Sequence, residues 1–260
     1  MLVPYARQQI NENDINKVIK VLRSDFLTTG PKIQQFENEL KKKFSSKYVS
    51  VVNSATSALH LACLSLGLSK KDILWTTPIS FVASSNCAIY CGSKVDFVDI
   101  DKDTFNICSK KLEIKLRETP KKLLPTVVVV VHLSGHPVNL KEIKKLSKKY
   151  NFKIIEDASH AVGSFYEKNP IGNCKYSDIC IFSFHPIKII TTGEGGALLT
   201  NSKKLFKKFS LLRSHGINKN LKSKSNPWFY DQISLGYNYR MNEIEAALGI
   251  SQLKKLNKFL

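Results

Sequence analysis

VVVVVHLSGHPVNLKEIKKLSKKYNFKIIE, residues 127–156, contains in order a run of five valines, a segment with apolar residues at helical spacing, and a second apolar run. Consecutive valines predict a strand that is buried on both faces. The segment Leu140–Tyr150 predicts an amphipathic helix. A strand, a helix and a second strand in this order are typical of a parallel βαβ unit, so these residues predict an α/β fold.

The same alternation continues on both sides of this unit. Further strands are predicted at Tyr48–Val52, Ile73–Thr76, 95–98, 179–184 and Gly196–Thr200. Further helices are predicted at 11–24, after Pro31, at 54–66 and at Ala83–Tyr90. Short apolar strands that alternate with helices predict a mostly parallel sheet.

The bulk composition is that of a globular protein with one unusual feature, a formal net charge of +19. Three interpretations are open: a lysine-rich solvated surface, a nucleic-acid binder, or a field that attracts anionic small molecules. The lysine runs lie on polar helical faces without interleaved aromatic residues, and no helix-turn-helix or finger spacing is present. The sequence therefore favours a lysine-rich surface and no nucleic-acid partner.

Neither end of the chain nor its interior predicts a membrane segment. No apolar run reaches the roughly 18 residues of a membrane span, and residues 1–5 lack the basic flank of a signal peptide. We expect a cytoplasmic protein without a membrane partner. The six cysteines form no C-x-x-C pair, and only Cys87 and Cys91 share a helix face. We expect buried free thiols and no metal site.

Ionisable side chains follow the predicted strands, where parallel sheets bind ligands. Asp157 comes directly after the strand that ends at 156, and Lys188 comes after the next strand. Asp157 could instead cap a helix, and Lys188 could be an ordinary surface lysine. The Gly-rich segment 191–196 that follows Lys188 permits close backbone approach.

An aspartate and a lysine at neighbouring strand ends suit pyridoxal 5'-phosphate (PLP) chemistry. Lys188 would carry the cofactor through its aldehyde, and Asp157 would keep the pyridine nitrogen protonated. Freed from that link, the same lysine could move protons, for which its pKa must fall below the usual value near 10.4.

The phosphate of such a cofactor needs donors. Residues 54–58 lie between a strand and a helix, where Ala55 and Thr56 could offer backbone N–H groups. Ser183 could add a hydroxyl, and Phe81 could stack on the pyridine ring. Each has a plain alternative: Thr56 as a helix cap, Ser183 as strand filling and Phe81 as core.

Several segments occur together in the order found in one protein family. They are SATSALH at 54–60, TPISFVA at 77–83, EDASHA at 156–161, FSFHPIK at 182–188, GEGG at 193–196, LRSHG at 212–216 and GYNYRM at 236–241. In these segments the chain resembles the DegT/StrS family of sugar aminotransferases. The resemblance implies a PLP-dependent transferase of fold type I, with an aspartate aminotransferase-like large domain.

The resemblance also implies residue roles. Lys188 matches the lysine that carries the cofactor, and Asp157 matches the partner of the pyridine nitrogen. The other implied cofactor contacts are Ala55, Thr56, Phe81, His160, Ser183 and Asn238. His160 would lie beside the phenolic oxygen, and Asn238 would enter the phosphate site of a neighbouring subunit, which implies a homodimer with shared active sites.

For the reaction, the resemblance implies transamination of a UDP-linked 4-keto-6-deoxy nucleotide-sugar in bacterial surface-sugar (pseudaminic acid-type) synthesis. Glutamate would donate the amino group and leave as 2-oxoglutarate. Dehydratase relatives carry histidine in place of the lysine, so Lys188 favours transamination. The expected substrate contacts are Tyr5, Arg7, Thr28 and His185.

Family members continue past the position of Leu260, so two parts are expected. Residues 1–242 would form the large PLP-binding domain with an N-terminal helical segment. Residues 243–260 would begin the helix to a small C-terminal domain that is absent here. Two alternatives stay open: a different nucleotide-sugar, or a truncated inactive homologue that acts as an interaction partner.

Overall fold

The computed structural model describes residues 6–218 and 229–260. The strands are β1 (Tyr48–Val52), β2 (Ile73–Thr76), β3 (Lys94–Phe97), β4 (Val127–Val131), β5 (Lys153–Asp157), β6 (Phe165–Tyr166), β7 (Asn169–Pro170), β8 (Ile179–Ser183), β9 (Gly196–Thr200), β10 (Ile217–Asn218) and β11 (Asp231–Gln232). The helices are α1 (Glu12–Leu22), α2 (Pro31–Phe44), α3 (Ala55–Leu66), α4 (Ala83–Tyr90), α5 (Ser109–Glu118), α6 (Leu140–Tyr150), α7 (Lys203–Leu212), α8 (Glu243–Lys254) and α9 (Leu256–Phe259).

A seven-stranded sheet with the order β1-β9-β8-β5-β4-β2-β3 forms the centre of the fold. Neighbours β3, β2, β4, β5 and β8 run parallel. All five valines of β4 are buried, because helices cover both faces of the sheet. The predicted α/β fold with a mostly parallel sheet is confirmed.

Strand β9 is the antiparallel member of the sheet. It pairs antiparallel with both β1 and β8, so β1 still runs in the direction of the other strands. Gly196 opens β9 at the sheet edge where the parallel strands end, opposite Val52 on one side and Ser183 on the other. This reversal brings the Gly-rich segment back to the carboxyl edge, where the candidate site lies.

Two hydrophobic layers hold helices against the sheet. One layer includes Phe36 of α2, Ile143 of α6 and Ile250 of α8. The other includes Leu59 of α3 and Phe209 of α7.

Helices α5 and α7 have no counterpart among the predicted elements. Both are lysine-rich, and each buries only two side chains, so their apolar stripes are narrow.

Helix α8 belongs to the same core, packed on α1 and α2. Its first residue, Glu243, is 1% exposed. The carboxylate accepts backbone hydrogen bonds from Gly30 (3.0 Å), Lys32 (2.6 Å) and Ile33 (3.1 Å). These N–H groups belong to the start of α2, where no intrahelical acceptor exists and negative charge is favourable. The domain boundary expected after residue 242 stays a prediction.

Replacing Glu243 by glutamine is expected to destabilise the protein by about 2–3 kcal/mol, because charge-assisted hydrogen bonds to a buried helix end are lost. Urea unfolding measures the change. Glu118→Gln is the matched control, since the Glu118 side chain is 67% exposed. Equal unfolding midpoints for the two variants would show that Glu243 does not act as the cap of α2.

All six cysteines are free; Cys91 and Cys108 are half-buried and the other four are buried. Within residues 6–218 and 229–260, no three His, Cys, Asp or Glu side chains are grouped to hold a metal ion. Over the same ranges, no helix combines the length and apolar character needed to cross a bilayer.

Candidate functional site

A cavity of about 560 Å³ opens at the carboxyl edge of the sheet. Its lining includes predicted site residues from four separate segments, namely Ala55, Thr56, Phe81, Asp157, His160, Ser183, His185 and Lys188. A second cavity of about 600 Å³ lies between β3 and α5 and is lined by none of these residues. The chemistry predicted from the sequence therefore converges on the first cavity.

Asp157 ends β5 with its carboxylate held from two sides. Ser84 of α4 donates to Oδ2 at 2.6 Å, and the Ser159 hydroxyl and backbone N–H donate to Oδ1 at 2.6 and 3.2 Å. Asp157 caps no helix, because a turn follows β5. Ser84 could not be predicted as a partner of Asp157, since 73 residues separate the two in the chain. Ser159, two residues from Asp157, could have been recognised as a local turn partner.

Lys188 lies in a turn after β8, where its backbone N–H donates to the His185 carbonyl at 2.9 Å. The segment is anchored at Phe184, whose carbonyl accepts from Thr192 N–H and whose N–H donates to Gly195, both at 2.9 Å. Burial lowers the pKa of Lys188, and the opposing attraction of Asp157 does not cancel this effect. A larger fraction of the amine is therefore neutral than in an exposed lysine.

The N-terminus of α3 faces the cavity with free donors. Ser54 is the N-cap and accepts from Ser57 N–H at 3.1 Å, so Thr56 is not the cap. The N–H groups of Ala55 and Thr56 belong to the first helical turn, which has no intrahelical acceptor. Together with the helix dipole, they form a site for an anion such as phosphate.

Gly196 permits this arrangement by its lack of a side chain. A Cβ at this position would lie 2.6 Å from the Ala55 nitrogen. Ser183 pairs with Gly196 across β8 and β9, which places Ser183 beside the start of α3. Ser183 is 5% exposed and lines the cavity, so it is available as an additional donor rather than as strand filling.

His160 presents a defined donor to the cavity. Its Nδ1 accepts from Ser134 N–H at 3.2 Å, which leaves the proton of the neutral ring on Nε2. Burial, and next the positive charge of Lys188, lower the pKa of His160 despite the opposing effect of Asp157. The ring is therefore neutral near pH 7. Phe81 is 71% exposed, so it is not core and its ring is free to cover a planar ligand.

The remaining predicted contacts lie elsewhere. Asn238 is exposed and does not line the cavity. Arg7 lines a smaller cavity of about 220 Å³ that it shares with Lys188. Thr28 is exposed and lines neither of these two cavities, and Tyr5 lies outside the described residues. The substrate roles of Tyr5, Arg7, Thr28 and His185 stay predictions.

The residues present suit an aldehyde that carries a phosphate and a basic ring nitrogen. Lys188 supplies an amine with a lowered pKa, Asp157 supplies a fixed carboxylate, and α3 supplies an anion cradle that a side chain at Gly196 would disturb. PLP has these three features.

Comparison with known proteins gives similar chains over nearly all of this sequence. A UDP-4-amino-4,6-dideoxy-N-acetyl-beta-L-altrosamine transaminase of Campylobacter jejuni is 46% identical over 256 residues, which are 98% of this chain and 65% of the relative. The spore coat polysaccharide biosynthesis protein SpsC of Bacillus subtilis is 36% identical over 98% of this chain and 64% of its own length. The chain thus spans about 65% of the length of these curated relatives.

Solved structures agree in fold. PseC of Helicobacter pylori, an aminotransferase involved in the biosynthesis of pseudoaminic acid, has a TM-score of 0.88 at 36% identity over 98% of this chain and 66% of that one. The PLP form of the putative sugar aminotransferase Spr1654 of Streptococcus pneumoniae has a TM-score of 0.88 at 28% identity over 99% and 68%. The family model for these enzymes matches residues 8–260. The chain belongs to the DegT/DnrJ/EryC1/StrS aminotransferase family.

Proposed function

We propose that the cavity binds PLP on Lys188, and that the protein transfers an amino group from glutamate to a UDP-linked 4-keto-6-deoxy nucleotide-sugar. The observation that carries this proposal is the meeting of Lys188, Asp157 and the α3 N-terminus in one cavity. The 46% identical relative is named as a transaminase of a UDP-linked amino-sugar, and this supports the substrate class.

When bound, PLP supplies an electrophilic aldehyde and a protonated ring that accepts electron density. Asp157, fixed by Ser84 and Ser159, holds the proton on the ring nitrogen. The neutral amine of Lys188 takes a proton from the carbon that loses the amino group and returns it to the carbon that gains the amino group. His160 donates through Nε2 to an oxygen of the ligand, which its lowered pKa allows without adding positive charge.

Amino transfer is tested with glutamate whose nitrogen is isotopically labelled. The chain, PLP and a panel of UDP- and other nucleotide-linked 4-keto sugars are incubated, and mass spectrometry follows the label. We expect label in the 4-amino product formed from a UDP-linked 4-keto-6-deoxy sugar, together with released 2-oxoglutarate. Label in the product of another nucleotide-linked sugar would show that this other sugar is the substrate. Bound PLP that takes no label from glutamate, under conditions where the Campylobacter relative does, would overturn the transaminase proposal.

The phosphate cradle gives a separate prediction. Gly196→Ala is expected to lower PLP affinity at least about tenfold, because the new Cβ forces the Ala55 N–H away from its position. Pyridoxal, which lacks the phosphate, is the matched control ligand, and its capture by Lys188 is expected to change much less. Equal losses for PLP and pyridoxal, measured by absorbance titration, would locate the phosphate elsewhere.

We also propose a homodimer in which Asn238 reaches the partner's phosphate site. Asn238 is exposed, and four large apolar residues shortly before it in the chain are also exposed, namely Phe229 (52%), Tyr230 (55%), Ile233 (60%) and Leu235 (78%). Grouped apolar side chains on a surface are typical of protein–protein contact sites. Sedimentation equilibrium is expected to give twice the chain mass. Leu235→Lys is expected to shift the measured mass towards that of one chain. A native chain that is monomeric in this measurement would exclude the shared site.

A further inference from the structure

A short loop after β4 reaches the cavity and carries a strained residue. Residues 133–136 form a single tight turn, which we call the β4 loop. Ser134 in this turn has a φ of 51°, in the left-handed region that serine seldom adopts. Such backbone strain persists only where the surrounding structure enforces it, and it is common where function requires a group to point in one direction. The direction of the Ser134 backbone is therefore of interest.

The strained backbone points the Ser134 N–H at His160. This N–H donates to Nδ1 of His160 at 3.2 Å, although 26 residues separate the two in the chain. The loop also packs on the backbone of this histidine, since a Cβ at Gly135 would lie 3.0 Å from the His160 carbonyl oxygen. His160 lines the cavity. The β4 loop therefore orients a ring that faces the ligand.

Asn106 holds the β4 loop at both ends. It is 3% exposed, lies in the connection between β3 and α5, and does not line the cavity. The Leu133 N–H donates to Oδ1 of Asn106 at 3.0 Å, and Nδ2 of Asn106 donates to the His136 carbonyl at 2.9 Å. Leu133 and His136 are the first and last residues of the loop. One side-chain amide, with its acceptor and its donors on neighbouring atoms, thus spans the whole turn.

Asn106 is itself held in place by a closed turn. Its carbonyl accepts from the Asp101 N–H at 2.9 Å, and its N–H donates to Oγ1 of Thr104 at 3.4 Å. Oδ1 of Asp101 accepts from the Thr104 N–H at 3.0 Å. An antiparallel bridge joins the flanking Ile100 and Ile107. Because these local bonds restrict the backbone around Asn106, its side chain is a fixed support for the β4 loop.

We propose that Asn106 is a positioning residue for amino transfer, because it holds the β4 loop in the shape that directs the Ser134 N–H to His160. This inference rests on the proposed function, in which His160 donates through Nε2 to an oxygen of the ligand. While Nδ1 accepts from Ser134, the proton of the neutral ring stays on Nε2, and a second proton on Nδ1 would break this hydrogen bond. Asn106 thus acts on the protonation of His160 without touching cofactor or substrate.

The pKa of His160 reports this arrangement in the chain without cofactor. Nuclear magnetic resonance with 15N-labelled histidine follows the ring through a pH titration, and His160→Gln identifies its signal among the six histidines. Asn106→Ala releases the donor at Nδ1, so protonation becomes easier and the pKa of His160 is expected to rise by about one pH unit. Lys188 and Asp157, the charged groups that act on His160, are unchanged in this variant.

Two further variants separate positioning from general destabilisation. Asn139→Ala is the matched control, because Asn139 follows the same loop and its side chain caps α6 by accepting from the Glu142 N–H. It is expected to leave the pKa of His160 unchanged. Asn106→Ser has a hydroxyl that is too short to span the loop, so it is expected to give the same rise as Asn106→Ala. The serine variant replaces the alanine variant in the measurement if the latter does not fold.

Amino transfer provides the second measurement. Asn106→Ala is expected to reduce it at least about tenfold, because a displaced donor costs rate, whereas Asn139→Ala is expected to retain it. An unchanged pKa of His160 in the Asn106 variants, an equal rise in Asn139→Ala, or native transfer in Asn106→Ala would overturn the proposal. The titration needs neither PLP nor substrate. If the pKa rises as expected but the native chain transfers no label from glutamate, the proposed function fails while the link from Asn106 to His160 is supported.

Discussion

Lys188→Ala is expected to abolish covalent retention of PLP and to reduce amino transfer by more than about 10³-fold, because the variant lacks both the amine that carries the cofactor and the group that moves the proton. The native chain mixed with PLP is expected to absorb in the visible range. Borohydride then fixes the cofactor to the peptide that contains Lys188, which mass spectrometry identifies.

The control for this prediction is Lys203→Ala, which removes an exposed lysine at the start of α7. This variant is expected to retain PLP as the native chain does. Far-UV circular dichroism checks that both variants fold. If borohydride fixed PLP to Lys188→Ala in native yield, another lysine would carry the cofactor, and the role given to Lys188 would be wrong.

The sequence predicts the parts of the fold that depend on strong local patterns. Val127–Val131 predicts a buried strand because every side chain in it is β-branched and apolar, and the structure confirms it. Helix α5 was not predicted, because lysines surround its only two buried residues, Leu112 and Leu116. The direction of β9 could not be predicted either, because an apolar run does not indicate whether a strand joins the sheet parallel or antiparallel.

The candidate site was predictable where residues follow strands. Asp157 and Lys188 stand at neighbouring strand ends, and parallel strands bring such residues to one edge. Ser84 was not predictable, because it reaches Asp157 through the packing of α4 on the sheet, and serine on a helix carries no sign of its distant partner. Gly196 was recognised as part of a Gly-rich segment, but its close approach to Ala55 depends on the antiparallel entry of β9.

Asp157→Asn is expected to reduce amino transfer by about 10³-fold while the fold is kept. Asparagine has the shape of aspartate. Its amide oxygen can still accept from the Ser159 hydroxyl, and its amide nitrogen can donate to the Ser84 hydroxyl, so the hydrogen-bond positions around it stay occupied. A neutral amide cannot hold a proton on the ring nitrogen, so the ring loses its capacity to accept electron density.

The same variant changes Lys188 in a direction that can be measured without any cofactor. The charge of Asp157 raises the pKa of Lys188 against the effect of burial, so removing that charge lowers this pKa further. A lower pKa makes the amine neutral at lower pH. In competitive acetylation mapped by mass spectrometry, the midpoint for Lys188 is therefore expected to lie below that of an exposed lysine in the native chain. It is expected to move to still lower pH in Asp157→Asn.

The control is Asp103→Asn, which removes an exposed carboxylate and is expected to leave the midpoint for Lys188 unchanged. A midpoint that rises in Asp157→Asn would show that Asp157 and Lys188 do not share the charge relation on which the site depends.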